Sequence, residues 1–271
     1  MLGLAAFADE ISPDLDVQIA ECKKQGVTHL ELRGVAGKNV LDFDKSMRSD
    51  IKKKLKDNGL GVIGIGSPIG KVKLSEPFEP HFERFKIAVE LAEFFDAPFV
   101  RIFSYYEAFP QGRAEVLRRL QKKIDYVQSF RPVLVHENER HIYGELGASC
   151  LDLHQNLDSP KFRAALDFAN FIQAGEDPLN NWPLLKPYTV HIHIKDALNG
   201  SGKVVPAGEG DGHIAEILKD ACASGYNGFL SFEPHLAVAG QYSGFTGPDL
   251  FGVAVNALRQ LALENNIALA S

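Results

Sequence analysis

Val133-Leu134-Val135-His136-Glu137, Arg163-Ala164-Ala165-Leu166-Asp167, Val190-His191-Ile192-His193 and Phe229-Leu230-Ser231-Phe232-Glu233 are four short, mostly apolar runs, each ending in an acidic or imidazole side chain. Their length and composition read as buried strands. The same rhythm continues outward from them. Earlier strand-like runs stand at residues 4–8, 27–32, 60–66 and 99–103, and the later four fall at 133–137, 163–167, 189–194 and 228–233. Amphipathic, charge-rich segments follow at 14–25, 45–58, 79–95, 111–129, 147–156, 177–185, 211–224 and 248–265, with Ser, Asp, Pro or Gly near their ends. Eight alternations of strand and helix predict a parallel sheet closed into a (β/α)8 barrel, the α/β fold of the TIM-barrel type. No Pro/Ser-rich linker or shift in composition divides residues 1–271, so one domain is expected. Stretches 67–80 and 199–212 are expected to be strand-to-helix loops.

In such a barrel the C-terminal ends of the strands build the active site. Glu137, Asp167, His193 and Glu233 should therefore meet at one end, one from each of the last four strands. Three carboxylates crowded together repel unless a cation neutralises them, which points to a divalent metal ion. An oxygen-rich set with one imidazole suits Mn²⁺ first, then Mg²⁺, with Co²⁺ or Zn²⁺ as further candidates.

Composition narrows the partners. Hydrophobic residues are 45% and charged residues 24% of the chain, the balance of a globular protein with a substantial core. Lys+Arg 29 against Asp+Glu 35 gives net charge −6, a poor footprint for gripping phosphate backbones, so no nucleic-acid partner is expected. Cys22, Cys150 and Cys222 are odd in number and far apart, which reads as reduced thiols. The apolar start at residues 1–8 meets Asp9-Glu10 at once and reads as a first strand, and no stretch reaches the roughly 18 apolar residues of a membrane helix. A cytoplasmic protein with no membrane partner is the expectation. Gly64-Ile65-Gly66 and Gly208-Glu209-Gly210-Asp211-Gly212 lack the context of nucleotide-binding loops, so no nucleotide cofactor is expected. Neither a GxSxG elbow nor a Cys/His pairing favours covalent catalysis.

Several motifs together carry a family resemblance: His136-Glu137-Asn138-Glu139 with Ile142-Tyr143-Gly144-Glu145, Leu166-Asp167-Phe168-Ala169-Asn170 with Gly175-Glu176-Asp177-Pro178, His191-Ile192-His193-Ile194-Lys195-Asp196, Pro206-Ala207-Gly208-Glu209-Gly210, and Phe232-Glu233-Pro234-His235. Over essentially its whole length the chain resembles the xylose isomerase-like (AP endonuclease 2-type) TIM barrels, and within them the sugar phosphate isomerase/epimerase group. The resemblance implies a Glu-Asp-His-Glu set holding one divalent ion, which places Glu137, Asp167, His193 and Glu233 as ligands. It also implies that Glu137 and Glu233 act as the acid and base. A metal on adjacent carbonyl and hydroxyl oxygens polarises the carbonyl and acidifies the neighbouring C–H, and one glutamate removes the proton while the other returns one. The implied activity is isomerisation or epimerisation of a small carbohydrate, free or phosphorylated. An alternative on the same site is a lyase or dehydratase acting on a keto-sugar, keto-inositol or 3-keto-glycoside, because elimination begins with the same proton abstraction. The endonuclease branch uses a larger His-rich cluster that this chain lacks. Barrels of this type frequently associate, so a homo-oligomer is possible.

The chain departs from the 3-epimerase pattern at Asn170, where many of those enzymes carry a histidine, and lacks their arginine after His193. Further substrate-binding candidates are Glu10, Arg101, Glu139, Asn170, Lys195 and His235. Lys195 could touch a substrate oxygen or pair with Asp196, and Arg101 could grip substrate or hold the metal carboxylates. Glu31, Arg33 and Ser104 also stand at strand ends, Phe7 or Tyr105 could line the pocket, and His191 shares a strand face with His193.

Overall fold

The computed structural model describes residues 1–109, 111–237 and 246–270. Eight parallel strands close into a barrel: β1 (Gly3–Ala6), β2 (His29–Leu32), β3 (Gly61–Ile65), β4 (Phe99–Ile102), β5 (Val133–Glu137), β6 (Phe162–Asp167), β7 (Thr189–Ile194) and β8 (Phe229–Phe232). Each pairs with its sequence neighbours, and β8 returns to β1 with Leu230 opposite Leu4 and Phe232 opposite Ala6. The (β/α)8 architecture read from the alternating runs is the one observed.

Alternation along the strands sorts the side chains. Leu4, Leu30, Val100, Leu134, Leu166, Ile192 and Leu230 join one apolar layer beneath the helices. The opposite parity carries the polar and small residues of the barrel interior, including Glu31, Arg101, Glu137, Asp167, His191 and His193, all buried.

Around the barrel run α1 (Leu15–Lys24), α2 (Lys45–Asp57), α3 (Phe78–Phe95), α4 (Arg113–Val127), α5 (Gly147–Asn156), α6 (Phe168–Gln173), α7 (Pro178–Leu185), α8 (Ile214–Ala223) and α9 (Gly247–Glu264). Asp14, Asp44 and Asp177 cap α1, α2 and α7 by accepting from the backbone N–H groups of the first turn. No described helix is long and apolar enough to cross a membrane.

Three features differ from the sequence expectation. The first strand stops at Ala6, and Ala8–Glu10 form a 3-10 turn that brings Asp9 and Glu10 to the strand-end face. The short helix α6 follows β6 without a loop; Phe168, Ala169, Asn170, Phe171 and Ile172 are all buried, so no amphipathic period announces it. Within 199–212 the chain returns on itself, pairing Val204–Val205 with Asp196–Ala197.

Candidate active site

The C-terminal ends of β5, β6, β7 and the residue after β8 bring Glu137, Asp167, His193 and Glu233 together. Each offers a ligand atom within 4.8 Å of the others, and all four residues are buried. Each is positioned differently. Asp167 serves as N-cap of α6, its Oδ1 accepting from Asn170 N at 2.8 Å, which leaves Oδ2 turned toward the cluster. Asn138, the residue after β5, pins the Asp167 backbone, donating to its carbonyl and accepting from its N–H, both at 2.9 Å. Glu137 Oε1 accepts from Asn170 Nδ2 at 3.2 Å and lies 3.3 Å from His193 Nδ1. The Phe7 ring meets His193 edge-on, with centroids 5.2 Å apart.

Cations surround this group. Arg33 Nη1 donates to Glu233 Oε1 at 2.6 Å, and Arg101 Nη1 donates to Glu137 Oε2 at 3.0 Å. Both guanidinium groups lie 4.6 Å from the centroid of the Phe7 ring. Lys195 Nζ lies 3.0 Å from Asp167 Oδ2 and 3.4 Å from Glu233 Oε2. Arg101 is thus a holder of carboxylates, and Lys195 enters the cluster and does not pair with Asp196. The Asp196 carboxylate instead accepts from the N–H groups of Gly208, Gly210, Gly212 and Ala197 at 2.8–3.1 Å, folding the glycine-rich loop around itself.

The electrostatics follow from these contacts. Burial raises the Asp167 carboxyl to about 6, with Glu137 and Glu233 adding to the rise against the pull of Lys195. Burial also opposes charge on Glu137, but His193 and Arg101 outweigh it and hold that carboxyl at about 2. Glu233 is likewise driven well below the carboxylate range, since Lys195, His235, Arg33 and Arg101 overcome its burial. His193 resists charging through burial, yet Glu31 and Glu137 on either side push its pKa well above the ordinary value.

The remaining candidates divide by position. Asn170 touches Glu137 directly. Glu10 is buried beside the cluster, its Oε1 lying 2.8 Å from His235 Nε2 while Oε2 accepts from His235 N at 3.0 Å and Thr246 Oγ1 at 2.8 Å. His235 Nε2 is also 3.6 Å from Glu233. Glu139 stands nearer the mouth, paired at 2.7 Å with Lys71, whose Nζ lies over Phe103. Ser104 points away from the cluster and bonds His136 and Gly144 N, while Tyr105 turns to Lys123. Sequence reasoning missed Asp9, which accepts from Arg33 Nε at 2.8 Å, together with Asn138 and Lys71. It weighed Arg101 as a holder of the carboxylates but did not foresee Arg33 or Lys195 as their counter-charges. Strand parity was an available signal for Glu31 and Arg33, since residues two apart share a face.

The cluster fits a divalent ion on its own evidence. Asp167 Oδ2 and His193 Nδ1, the atoms that face the cluster, are buried without a well-aligned hydrogen bond among the described residues. Such buried polar atoms call for a partner. Three carboxylates and one imidazole form a donor set suited to Mn²⁺, Mg²⁺ or a similar ion.

Known proteins share this scaffold. A curated relative, the 3-dehydroshikimate dehydratase of Bacillus anthracis, is 23% identical over 177 residues, covering 64% of this chain and 63% of the relative's length. Among solved structures, D-allulose 3-epimerase from Methylomonas sp., in complex with D-allulose, superposes with a TM-score of 0.74 at 16% identity over 96% of both chains. A xylose isomerase-like TIM barrel protein from Mycobacterium smegmatis, in complex with magnesium, gives 0.73 at 15% identity over 98% of both chains. At these identities the structural matches speak for the fold. The family model for the xylose isomerase-like TIM barrel matches residues 19–260, and with the closed eight-stranded barrel and the strand-end cluster it shows that the chain belongs to the xylose isomerase-like TIM barrel family.

Proposed function

We propose that the protein is a divalent-metal-dependent enzyme that removes the proton next to a carbonyl of a small carbohydrate and returns one to give an epimer or isomer. The observation that carries this reading is the convergence of Glu137, Asp167, His193 and Glu233 from four strands onto one buried point. Mn²⁺ is the preferred ion. When bound, it supplies a Lewis acid that polarises the carbonyl and lowers the barrier to losing the neighbouring proton.

The chain's own groups do the rest. Glu137 and Glu233 are both held ionised, Glu137 chiefly by His193 and Arg101 and Glu233 by Lys195, His235 and Arg33, so either can accept a proton. Arg101, together with Asn170 Nδ2, fixes the Glu137 carboxylate, while Arg33 and Lys195 fix that of Glu233. Fixed orientation of this kind is the positioning that proton transfer needs. His235 and Glu139 are candidates for binding substrate hydroxyls, and Glu10, buried behind His235, holds that ring in place.

A second reading rests on Lys195. Its ammonium lies between Asp167 and Glu233, where it can donate a proton to a departing hydroxyl, so the same proton abstraction can end in elimination. The named activity of the curated relative, a dehydratase, supports this alternative. Keto-sugars, keto-inositols and 3-keto-glycosides are then the substrate classes. The unpaired thiols of Cys22, Cys150 and Cys222 suit a reducing, cytoplasmic setting.

The test is incubation of the Mn²⁺-reconstituted enzyme with ketoses, ketose phosphates and keto-inositols in D₂O, followed by NMR of the products after the metal is removed. Deuterium next to the carbonyl in an epimer or isomer supports the first reading, and an unsaturated ketone supports the second. No deuterium incorporation and no elimination with any member of the panel would count against both.

A further inference from the structure

Behind His193 the barrel holds two groups that the proposed reaction leaves unused. Glu31, on β2, is buried in the interior, and its Oε2 lies 2.8 Å from Nε2 of His191 and 3.1 Å from Nε2 of His193. His191 and His193 project from β7 with the same parity, at right angles to each other, with ring centroids 5.2 Å apart. The opposite nitrogen of His193, Nδ1, faces Glu137 and the rest of the strand-end cluster.

The two ring nitrogens of a neutral imidazole cannot both carry a proton, and the one that ligates a metal must present its lone pair. A lone pair on Nε2 would stand 3.1 Å from a buried carboxylate oxygen, two acceptors side by side, which burial makes costly. A proton on Nε2 resolves this and leaves Nδ1 free. The His191 N–H bond keeps the Glu31 carboxylate on that side of the ring.

Resting on the metal-centre reading above, we infer that Glu31, held by His191, is a positioning residue that fixes the tautomer of His193 and so sets the affinity of the centre for a divalent ion. Glu31 does not touch substrate. It acts through His193, in the manner of carboxylates that orient metal-bound histidines.

The experiment compares full-length wild type, Glu31→Gln and His191→Gln, each stripped with a chelator and titrated with Mn²⁺ by calorimetry. Wild type labelled with ¹⁵N-histidine and loaded with diamagnetic Zn²⁺ then reports the ring protonation of His193 by NMR. One ion per chain is expected throughout, with affinity about 10–100-fold weaker in Glu31→Gln. A smaller loss in the same direction is expected for His191→Gln, and the His193 proton should sit on Nε2. Unchanged affinity in both variants, or a proton on Nδ1, overturns the inference. Two ions in wild type with one lost in Glu31→Gln make Glu31 a ligand and overturn it as well. Should Glu31→Gln fail to melt cooperatively, His191→Gln and the wild-type tautomer decide. Failure of wild type to bind any divalent ion sinks the metal-centre reading itself, whereas tight binding that both variants share sinks only the positioning role.

Discussion

Lys195 Nζ lies 3.0 Å from Asp167 Oδ2, so the end of β6 meets an ammonium carried by the residue just past β7, and the pair is almost wholly buried. Burial works against a charge on Lys195, but Asp167 and Glu233 more than compensate and keep it protonated. A buried cation in that place has consequences for proton transfer that can be separated experimentally.

Lys195→Met in the metal-loaded enzyme should slow exchange of the substrate's α-proton with solvent deuterium only modestly, through the loss of one anchor of Glu233, while any dehydration product falls by a further ~10²–10⁴-fold, the usual weight of a general acid. NMR in D₂O reads both quantities at once. Equal loss of exchange and elimination would remove Lys195 as the general acid and leave it the positioning of Glu233.

Glu233→Gln should abolish turnover and leave the far-ultraviolet circular dichroism unchanged, because the amide can still accept from Arg33 but cannot take a proton at neutral pH. Full activity in this variant removes Glu233 from the acid–base pair.

Asp167 both caps α6 and turns an oxygen to the cluster, so two substitutions separate the roles. Asp167→Ala should lose bound metal together with about 0.5–2 kcal/mol of stability from the missing cap. Asp167→Asn should keep the cap and still bind the ion more weakly. Unchanged metal stoichiometry by elemental analysis in Asp167→Ala would sink its assignment as a ligand.

Lys123, on α4 and fully buried, hydrogen-bonds the Tyr105 hydroxyl; burial, helped by Arg119, lowers its pKa from 10.5 to about 7. Between those two values the unfolded chain binds a proton that the folded chain does not. Stability therefore rises with pH across the window, by roughly 1.4 kcal/mol per pH unit from this group. Lys123→Met removes that contribution, so its stability relative to wild type should be greatest near pH 7 and decline toward pH 10 in urea unfolding. A difference independent of pH would contradict the depressed pKa.

Asp196→Ala strips the acceptor from four N–H groups in and beside the 206–212 loop. A loss of at least about 1–3 kcal/mol is expected, the cost of leaving a buried donor unpaired. Hydrogen exchange should show the loop amides of Gly208, Gly210 and Gly212 losing protection first. Protection equal to wild type would mean that other contacts hold the loop.

The eight strands were legible because a buried parallel strand is a short apolar run and the intervening helices are amphipathic. Helix α6 was not, because a short segment buried on every side has no period to detect. The four-group cluster was legible for a topological reason: strand ends of a barrel meet whatever lies between them in sequence. Its counter-charges were harder to foresee. Arg33 reaches Glu233 across 200 residues of sequence, and His191 reaches Glu31 across 160, so no local pattern records either pairing. The 3-10 turn that delivers Asp9 and Glu10 interrupts a run that otherwise reads as strand.

The four converging groups all come from the second half of the barrel, while Glu31, Arg33 and Arg101 come from the first. The first half of the chain thus supplies two of the cations and the buried carboxylate that surround the cluster, beside Lys195, Asn170, His191 and His235 from the second. Substitutions at or just past β2 and β4 can change the charge around Glu137, His193 and Glu233 without altering any of the four converging side chains. A fragment beginning after β4 would inherit all four converging side chains and none of those three residues.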